Sequence, residues 1–279
     1  MPGSNSPVTN VNSNDIRCNV GGTRGVSGKC AVKAGSIVTV EMHAQPGDRK
    51  CGSEAIGGAH YGPVNVYLSQ VSDASSADGS TPWYKIFADS WSAKGSVGDA
   101  DNWGTNDLNS CCGKMDVPIP ADTPDGDYLL RAEVIALHTA SSAGGAHVTG
   151  GSAKAAALPA GVKLPGAFKS SDPGIQINIH SKVSNYVNPG PAVIASGTTK
   201  QAGSGCSAGC AKTCAVGSGP VGTAIGSAPK PTSGAGGGQS GCAQAMYQQC
   251  GGQGYTGCTA CAEGLTCKEV SAPYYSQCA

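Results

Sequence analysis

The chain has 279 residues, room for one large domain or two. Gly supplies 43 of them, charged residues make up only 13%, and 18 basic side chains cancel 18 acidic ones. A neutral chain carries no electrostatic footprint for nucleic acid or an anionic membrane. The most apolar stretch, Tyr128 to Leu137, is broken by Arg131 and Glu133, so no segment reads as a membrane span.

Val outnumbers Leu by 21 to 8, which favours strands, since β-branched side chains suit a pleated surface. From Ser36 to Met42, the residues Val38, Val40 and Met42 share one face while Ile37, Thr39 and Glu41 take the other. The same period of two recurs in Val64-Asn65-Val66-Tyr67-Leu68 and in Ile175 to Ile179, and Tyr128 to Leu137 is a longer candidate strand. Turn clusters such as Pro46-Gly47-Asp48 and Pro124-Asp125-Gly126-Asp127 separate these runs, and no helical period stands out. Short strands joined by Gly/Pro-rich turns predict an all-β fold, an immunoglobulin/fibronectin-like antiparallel β-sandwich, over residues 1–196.

Residues 197–241 are Gly, Ser, Ala, Thr and Pro with almost no large apolar residue, a composition that predicts a linker. Residues 242–279 hold six cysteines, which predicts a small disulfide-rich β module too short to fold on a core alone. Fourteen cysteines in all point to an oxidising compartment and a secreted protein. Met1-Pro2-Gly3-Ser4-Asn5 opens without a basic or an apolar leader region, so the mature N-terminus is expected to lie elsewhere. The adjacent Cys111 and Cys112 are expected to pair with other cysteines rather than each other, because a bond between neighbours strains the peptide joining them. Cys206, Cys210 and Cys214 are spaced as a zinc site or a helical face would be. With no nearby histidine, disulfides or a chance feature of the linker are the readings preferred.

The segment Tyr247-Gln248-Gln249-Cys250-Gly251-Gly252-Gln253-Gly254-Tyr255-Thr256-Gly257, followed by Cys261, Cys267 and Pro273-Tyr274-Tyr275-Ser276-Gln277-Cys278, resembles the fungal family 1 carbohydrate-binding module. The resemblance implies bridges Cys250–Cys267 and Cys261–Cys278, with Cys242–Cys258 as a third. It also implies a flat face of Tyr247, Tyr274 and Tyr275 stacking on glucose rings, with Gln277 bonding to their hydroxyls. Ala272 stands where many members have Asn, so one hydrogen bond to the sugar is expected to be lost.

Three further segments point to a second family: Ile56-Gly57-Gly58-Ala59-His60-Tyr61-Gly62-Pro63-Val64, Gly126-Asp127-Tyr128 running on to Ala136-Leu137-His138, and Pro165-Gly166-Ala167-Phe168-Lys169 with Asp172-Pro173-Gly174-Ile175. With Tyr186-Val187-Asn188-Pro189-Gly190-Pro191 they resemble the fungal family 9 auxiliary-activity lytic polysaccharide monooxygenases. That resemblance implies one copper ion on a flat face, activating O2 or H2O2 with electrons from an external donor. The outcome would be oxidation of cellulose or a related β-glucan at C1 or C4 by a secreted monomer. His60 would be a copper ligand and His138 a neighbour orienting the oxygen species; Tyr186 would be a surface residue able to stack on a sugar.

Two pieces of the family pattern have no counterpart: the segment beginning with the copper-binding N-terminal His, and a strand of the form Gln-x-Tyr-x-x-Cys-x-Gln carrying the axial Tyr. Here Ala146 runs directly into His147-Val148-Thr149, so one strand, roughly 5–10 residues, is skipped and Cys18 loses its expected partner. Mis-assigned exon boundaries would explain both gaps. The chain as written is therefore expected to be inactive and its large domain poorly folded, and the alternative function is a non-catalytic cellulose-binding protein. A glycoside hydrolase ranks last, because it needs two facing carboxylates while Asp48, Asp99, Asp101 and Asp125 fall in turns. His43, His147 and His180 are expected to be surface or hydrogen-bonded residues rather than ligands.

Overall fold

The computed structural model describes residues 6–25, 29–44, 49–140, 152–153, 160–207, 243, 249–251, 259–271 and 275–278. The chain divides into two compact units, Met1–Ala228 and Pro229–Ala279. In order, the strands are β1 (Ile37–Glu41), β2 (Val64–Val71), β3 (Trp83–Asp89), β4 (Trp91–Ser92), β5 (Asn102–Trp103), β6 (Lys114–Pro118), β7 (Asp127–Val134), β8 (Ser152–Ala153), β9 (Val193–Lys200), β10 (Gln249–Gly251), β11 (Cys267–Ser271) and β12 (Tyr275–Cys278). One short helix, α1 (Gly104–Ser110), joins β5 to β6.

The main sheet of the large unit runs β8-β7-β2-β3-β9, and β1 pairs with β6 in a second sheet. Val40 and Met42 from the small sheet, with Met115 and Val117, meet Val64, Val66, Leu68, Leu130 and Ala132 of the large one in a single apolar core. This is the expected sandwich, and the alternation from Ser36 to Met42 holds: Val40 and Met42 are buried while Ile37 is 63% exposed.

The other face of the main sheet departs from a simple polar-out pattern. Tyr67, Lys85, Arg131 and Glu133 are all buried there, beneath a layer containing Val8, Ile16, Leu164, Phe168 and Ile175. Arg131 pairs with Glu133 and donates to the carbonyls of Ile16 and Arg17, while Lys85 donates to the Pro189 carbonyl at 2.6 Å. Burial lowers the Lys85 ammonium to a pKa of about 8. Loops with no strand partner of their own are thus tied down by charged donors reaching up from the sheet.

Two expectations need correction. The run Ile175–Ile179 is not a strand. Its burial alternates, but its amides at Ile175 and Gln176 turn back to the Asp172 carbonyl, and the Ile179 carbonyl accepts from Asp99. The large domain also does not give way to linker at 197. β9 crosses that boundary to Lys200, lying parallel to β3 in an otherwise antiparallel sheet. Lys200 then bonds Asp89 at 2.7 Å and also Asp107, and Cys206 bonds Cys111. Val193, Ile194, Thr198 and Thr199 supply the β-branched content; Ile194 packs on the main core, but the residues beyond 197 are held by an ion pair and a disulfide rather than by apolar side chains.

Cys111 and Cys112 do pair elsewhere, with Cys206 and Cys51. Cys210 and Cys214 lie outside the described residues. Among the described residues Cys18 and Cys30 carry free thiols, and burial, the largest influence, pushes Cys18 up. In the small unit β10, β12 and β11 form one antiparallel sheet, closed by Cys250–Cys267 and Cys261–Cys278 as expected. Cys242 and Cys258 lie outside the described residues.

A histidine pair at the end of the central ladder

The candidate site begins as a continuation of the β2–β7 pairing. In that ladder Val64 faces Val134, and Asn65 faces Glu133. The ladder continues beyond the regular strands: Ile135 N donates to Pro63 O at 3.3 Å and Leu137 N to Tyr61 O at 2.8 Å. One step further, the same register sets His60 opposite His138. Their rings meet edge to face with centroids 4.4 Å apart.

The turn before His60 explains its orientation. Gly58 and Ala59 both take positive φ, 74° and 62°, folding the chain so that His60 Nδ1–H donates to the Gly57 carbonyl. Gly62 must lack a side chain, because a Cβ there would meet the Ile135 carbonyl at 1.7 Å. With Nδ1 committed as a donor, the Nε2 lone pair of His60 is the one left for a ligand. A metal-binding histidine is commonly held this way by its other nitrogen.

His138 differs. Its Nδ1 is buried without a hydrogen-bond partner among the described residues. Burial, then His60 and His180, hold its pKa below the usual histidine value, so at neutral pH this ring is uncharged. Beneath the pair lies a small apolar core of Trp103, Ile135, Leu137, Ala140, Ile179, Val183 and Tyr186, with Tyr61 packed against it.

Tyr186 therefore does not have the surface role expected of it. It is only 9% exposed, its hydroxyl donates to the Gly174 carbonyl at 2.8 Å, and its ring stands edge-on to Trp103 at 4.9 Å. The exposed residue of that turn is its neighbour Val187. Burial pushes the Tyr186 hydroxyl well above the ordinary tyrosine pKa. Tyr186 is part of the floor under the histidines.

A third histidine joins the site. His180 lies on the segment that feeds Ile179 and Val183 into the small core, and its ring reaches Asp99 Oδ2 at 2.7 Å and the His138 carbonyl at 2.8 Å. The sequence predicts a surface or hydrogen-bonded residue here, and His180 is hydrogen-bonded. Its only local signal was a place at the end of an alternating apolar run. His43 is hydrogen-bonded to Glu41, as expected, and His147 lies outside the described residues.

In the small unit, Gln277 is half-buried in β12 between Gln249 and Lys268, and Tyr275 starts the same strand opposite Ser271. Tyr247 and Tyr274 lie outside the described residues. The Sγ atoms of Cys250, Cys261 and Cys278 cluster within 4.8 Å, a consequence of two disulfides packed together.

Copper takes imidazole nitrogen readily in both oxidation states. The open Nε2 of His60 beside an uncharged His138 fits such an ion as one ligand and its neighbour. Among the described residues no set of three histidine, cysteine or carboxylate ligands gathers at His60.

Comparison with known proteins bears directly on these two units. Residues 2–186 match the profile of Auxiliary Activity family 9 (formerly GH61), and residues 246–275 that of the fungal cellulose binding domain. The AA9 family lytic polysaccharide monooxygenase J of Neurospora crassa is 61% identical over 306 aligned positions, spanning 100% of this chain and 88% of the relative. Lytic polysaccharide monooxygenase B of Thermothelomyces thermophilus is 61% identical over 289, with the same coverage. Both alignments are longer than this 279-residue chain, so each relative has internal residues with no counterpart here. The crystal structure of HiLPMO9B superposes with a TM-score of 0.58 at 29% identity, covering 70% of this chain and 85% of that one. CvAA9A, with a TM-score of 0.60 at 22% identity, shares the fold. The chain belongs to Auxiliary Activity family 9, the lytic polysaccharide monooxygenases, and carries a fungal cellulose binding domain.

Proposed function

We propose that this protein is a secreted, monomeric, copper-dependent monooxygenase that cleaves β-1,4-glucan chains of cellulose oxidatively at C1, C4 or both. The observation that carries the reading is the His60–His138 pair at the ladder end, with His60 Nε2 left open and His138 uncharged. His60 would hold the copper ion, which when bound supplies a one-electron redox centre able to activate O2 or H2O2 with electrons from an external donor. His138 would face that oxidant as a neutral imidazole. The fungal cellulose binding domain, with Tyr247, Tyr274, Tyr275 and Gln277 as its contact residues, would raise the local concentration of the enzyme at the fibre.

Family membership at this identity favours the enzyme over a non-catalytic cellulose binder. A secreted protein is in keeping with the disulfides. The test is to incubate the protein with cellulose, copper and a reductant and to look for aldonic-acid or 4-keto ends. Release of unoxidised sugars alone, independent of copper and reductant, would overturn the reading.

A further inference from the structure

His180 makes two hydrogen bonds that together dictate its protonation. One ring nitrogen faces the Asp99 carboxylate and the other the His138 carbonyl, and neither oxygen can donate. A neutral imidazole has a single N–H, so both bonds exist together only when the ring carries both protons. The hydrogen bond to Asp99, then that to the His138 carbonyl, raises the affinity of this ring for its second proton.

The surroundings hold both partners in place. Asp99 belongs to the single turn Gly98–Ala100, whose amides at Gly98 and Asp99 donate to the carbonyls of Ser181 and Ile179. Trp103 Nε1 fixes the same turn through the Gly98 carbonyl at 2.8 Å. Gly98 leaves no room for change, because a Cβ would meet Ile179 O and Val183 Cγ2 at 2.7 Å each. On the other side, Leu137 N is tied to Tyr61 O, so the ladder holds one side of the Leu137–His138 segment and His180 the other. The charged and titratable groups facing His180 are Asp99 and His138, with His60 behind His138.

We propose that His180 is a positioning residue: bridging Asp99 and the His138 carbonyl as an imidazolium, it pins the end of the β7 segment so that the His138 ring stays against His60. When His180 loses a proton, its remaining N–H goes to the carboxylate, the stronger acceptor, and the His138 carbonyl is released. The proposal gives the proposed oxidative site a protonation-dependent clamp, and it rests on that reading of His60 and His138 only for its functional meaning.

The test uses the full chain, isotope-labelled and free of metal, followed by NMR from about pH 5 to 9, the range in which histidines titrate. Both ring nitrogens of His180 should be protonated up to a midpoint above the ordinary value of 6.5. The His138 carbonyl carbon should shift with that same midpoint. Asp99→Asn should lower the midpoint by roughly half a pH unit, the scale of one exposed ion pair. His180→Gln should remove the His138 carbonyl response at that midpoint altogether, while leaving the core methyl signals in place. A His180 ring that is neutral below pH 6.5, or a His138 carbonyl indifferent to His180, overturns the proposal. Oxidised ends on cellulose are a separate observable, so failure of the clamp and failure of the proposed function are told apart.

Discussion

The two units keep their shape by different means. The large one has an aliphatic core between two sheets and, on the far face, buried charges that reach out to hold loops. In the small one, among the described residues, only Cys250 and Cys278 are buried, and two bridges spanning 17 residues each close a three-stranded sheet. A sheet that small cannot bury enough apolar surface to fold unaided, so covalent bonds take over what packing does in the sandwich. The difference implies that the two units fail under different insults.

The largest effect should come from breaking a bridge in the small unit. Cys261→Ser opens Cys261–Cys278, a change worth about 3 kcal/mol for a loop of this length. Retention on cellulose should be lost, while the circular dichroism of the sandwich and its unfolding midpoint stay unchanged. Equal retention by the variant would show that the module does not depend on that bridge.

Next in size is Lys200→Ala, which leaves the buried Asp89 and Asp107 without their cation. Denaturant unfolding of the large unit should show a loss of about 2–3 kcal/mol at neutral pH, toward the low end for a broken buried pair because the lysine is partly exposed. Burial raises Asp89 to a pKa of about 6, above its unfolded value. Its ionisation therefore opposes folding as pH rises through that range, and below about pH 6, where the carboxyl takes up a proton, the Lys200 penalty should shrink. A penalty that grows on acidification would contradict this account of the Lys200 ion pair.

Tyr186→Phe is a smaller perturbation. It removes the hydroxyl donor to Gly174 and leaves a carbonyl unmatched in the floor of the site, for about 1 kcal/mol of stability. Because the ring is buried, affinity for cello-oligosaccharides should not change; a marked weakening would restore Tyr186 to the sugar-contacting surface.

The smallest effect should be that of His180 on stability. Its folded pKa lies above its unfolded one, so its contribution is complete below about 6.5 and fades as pH rises through the folded value. The dependence of the thermal midpoint on pH over that interval should flatten in His180→Gln. An identical slope in both proteins would leave His180 with no thermodynamic role in the clamp.

Much of this architecture is legible in the residues. Alternation from Ser36 to Met42 reports the inward face of β1, and the motifs around His60 and His138 mark both as special. What single-strand reading does not deliver is partnership across long sequence distance. Ile175–Ile179 alternates like a strand, yet its neighbours are a single turn and a small apolar core rather than a ladder. Tyr186 looks like an exposed aromatic in a Pro/Gly turn, and only packing against Trp103 reveals it as floor. The second half of β9, Gly197 to Lys200, has no large apolar residue to announce it, because what holds it is pairing with β3, a lysine between two aspartates and a disulfide just beyond. His180 depends on Asp99 and His138, each distant in sequence, so no local pattern announces it.

The place of the histidine pair also bears on how the protein acquires its site. His60 and His138 face each other through the register of β2 against β7, and the chain between them includes β3, β6 and α1. Closing that long intervening loop is among the entropically slow events in folding, rewarded only as the central sheet itself condenses. The pair therefore cannot be assembled ahead of the core or survive its loss. The facing histidines and the β2–β7 register are thus one structural unit, and a chain in which that pairing is lost has no facing pair to offer.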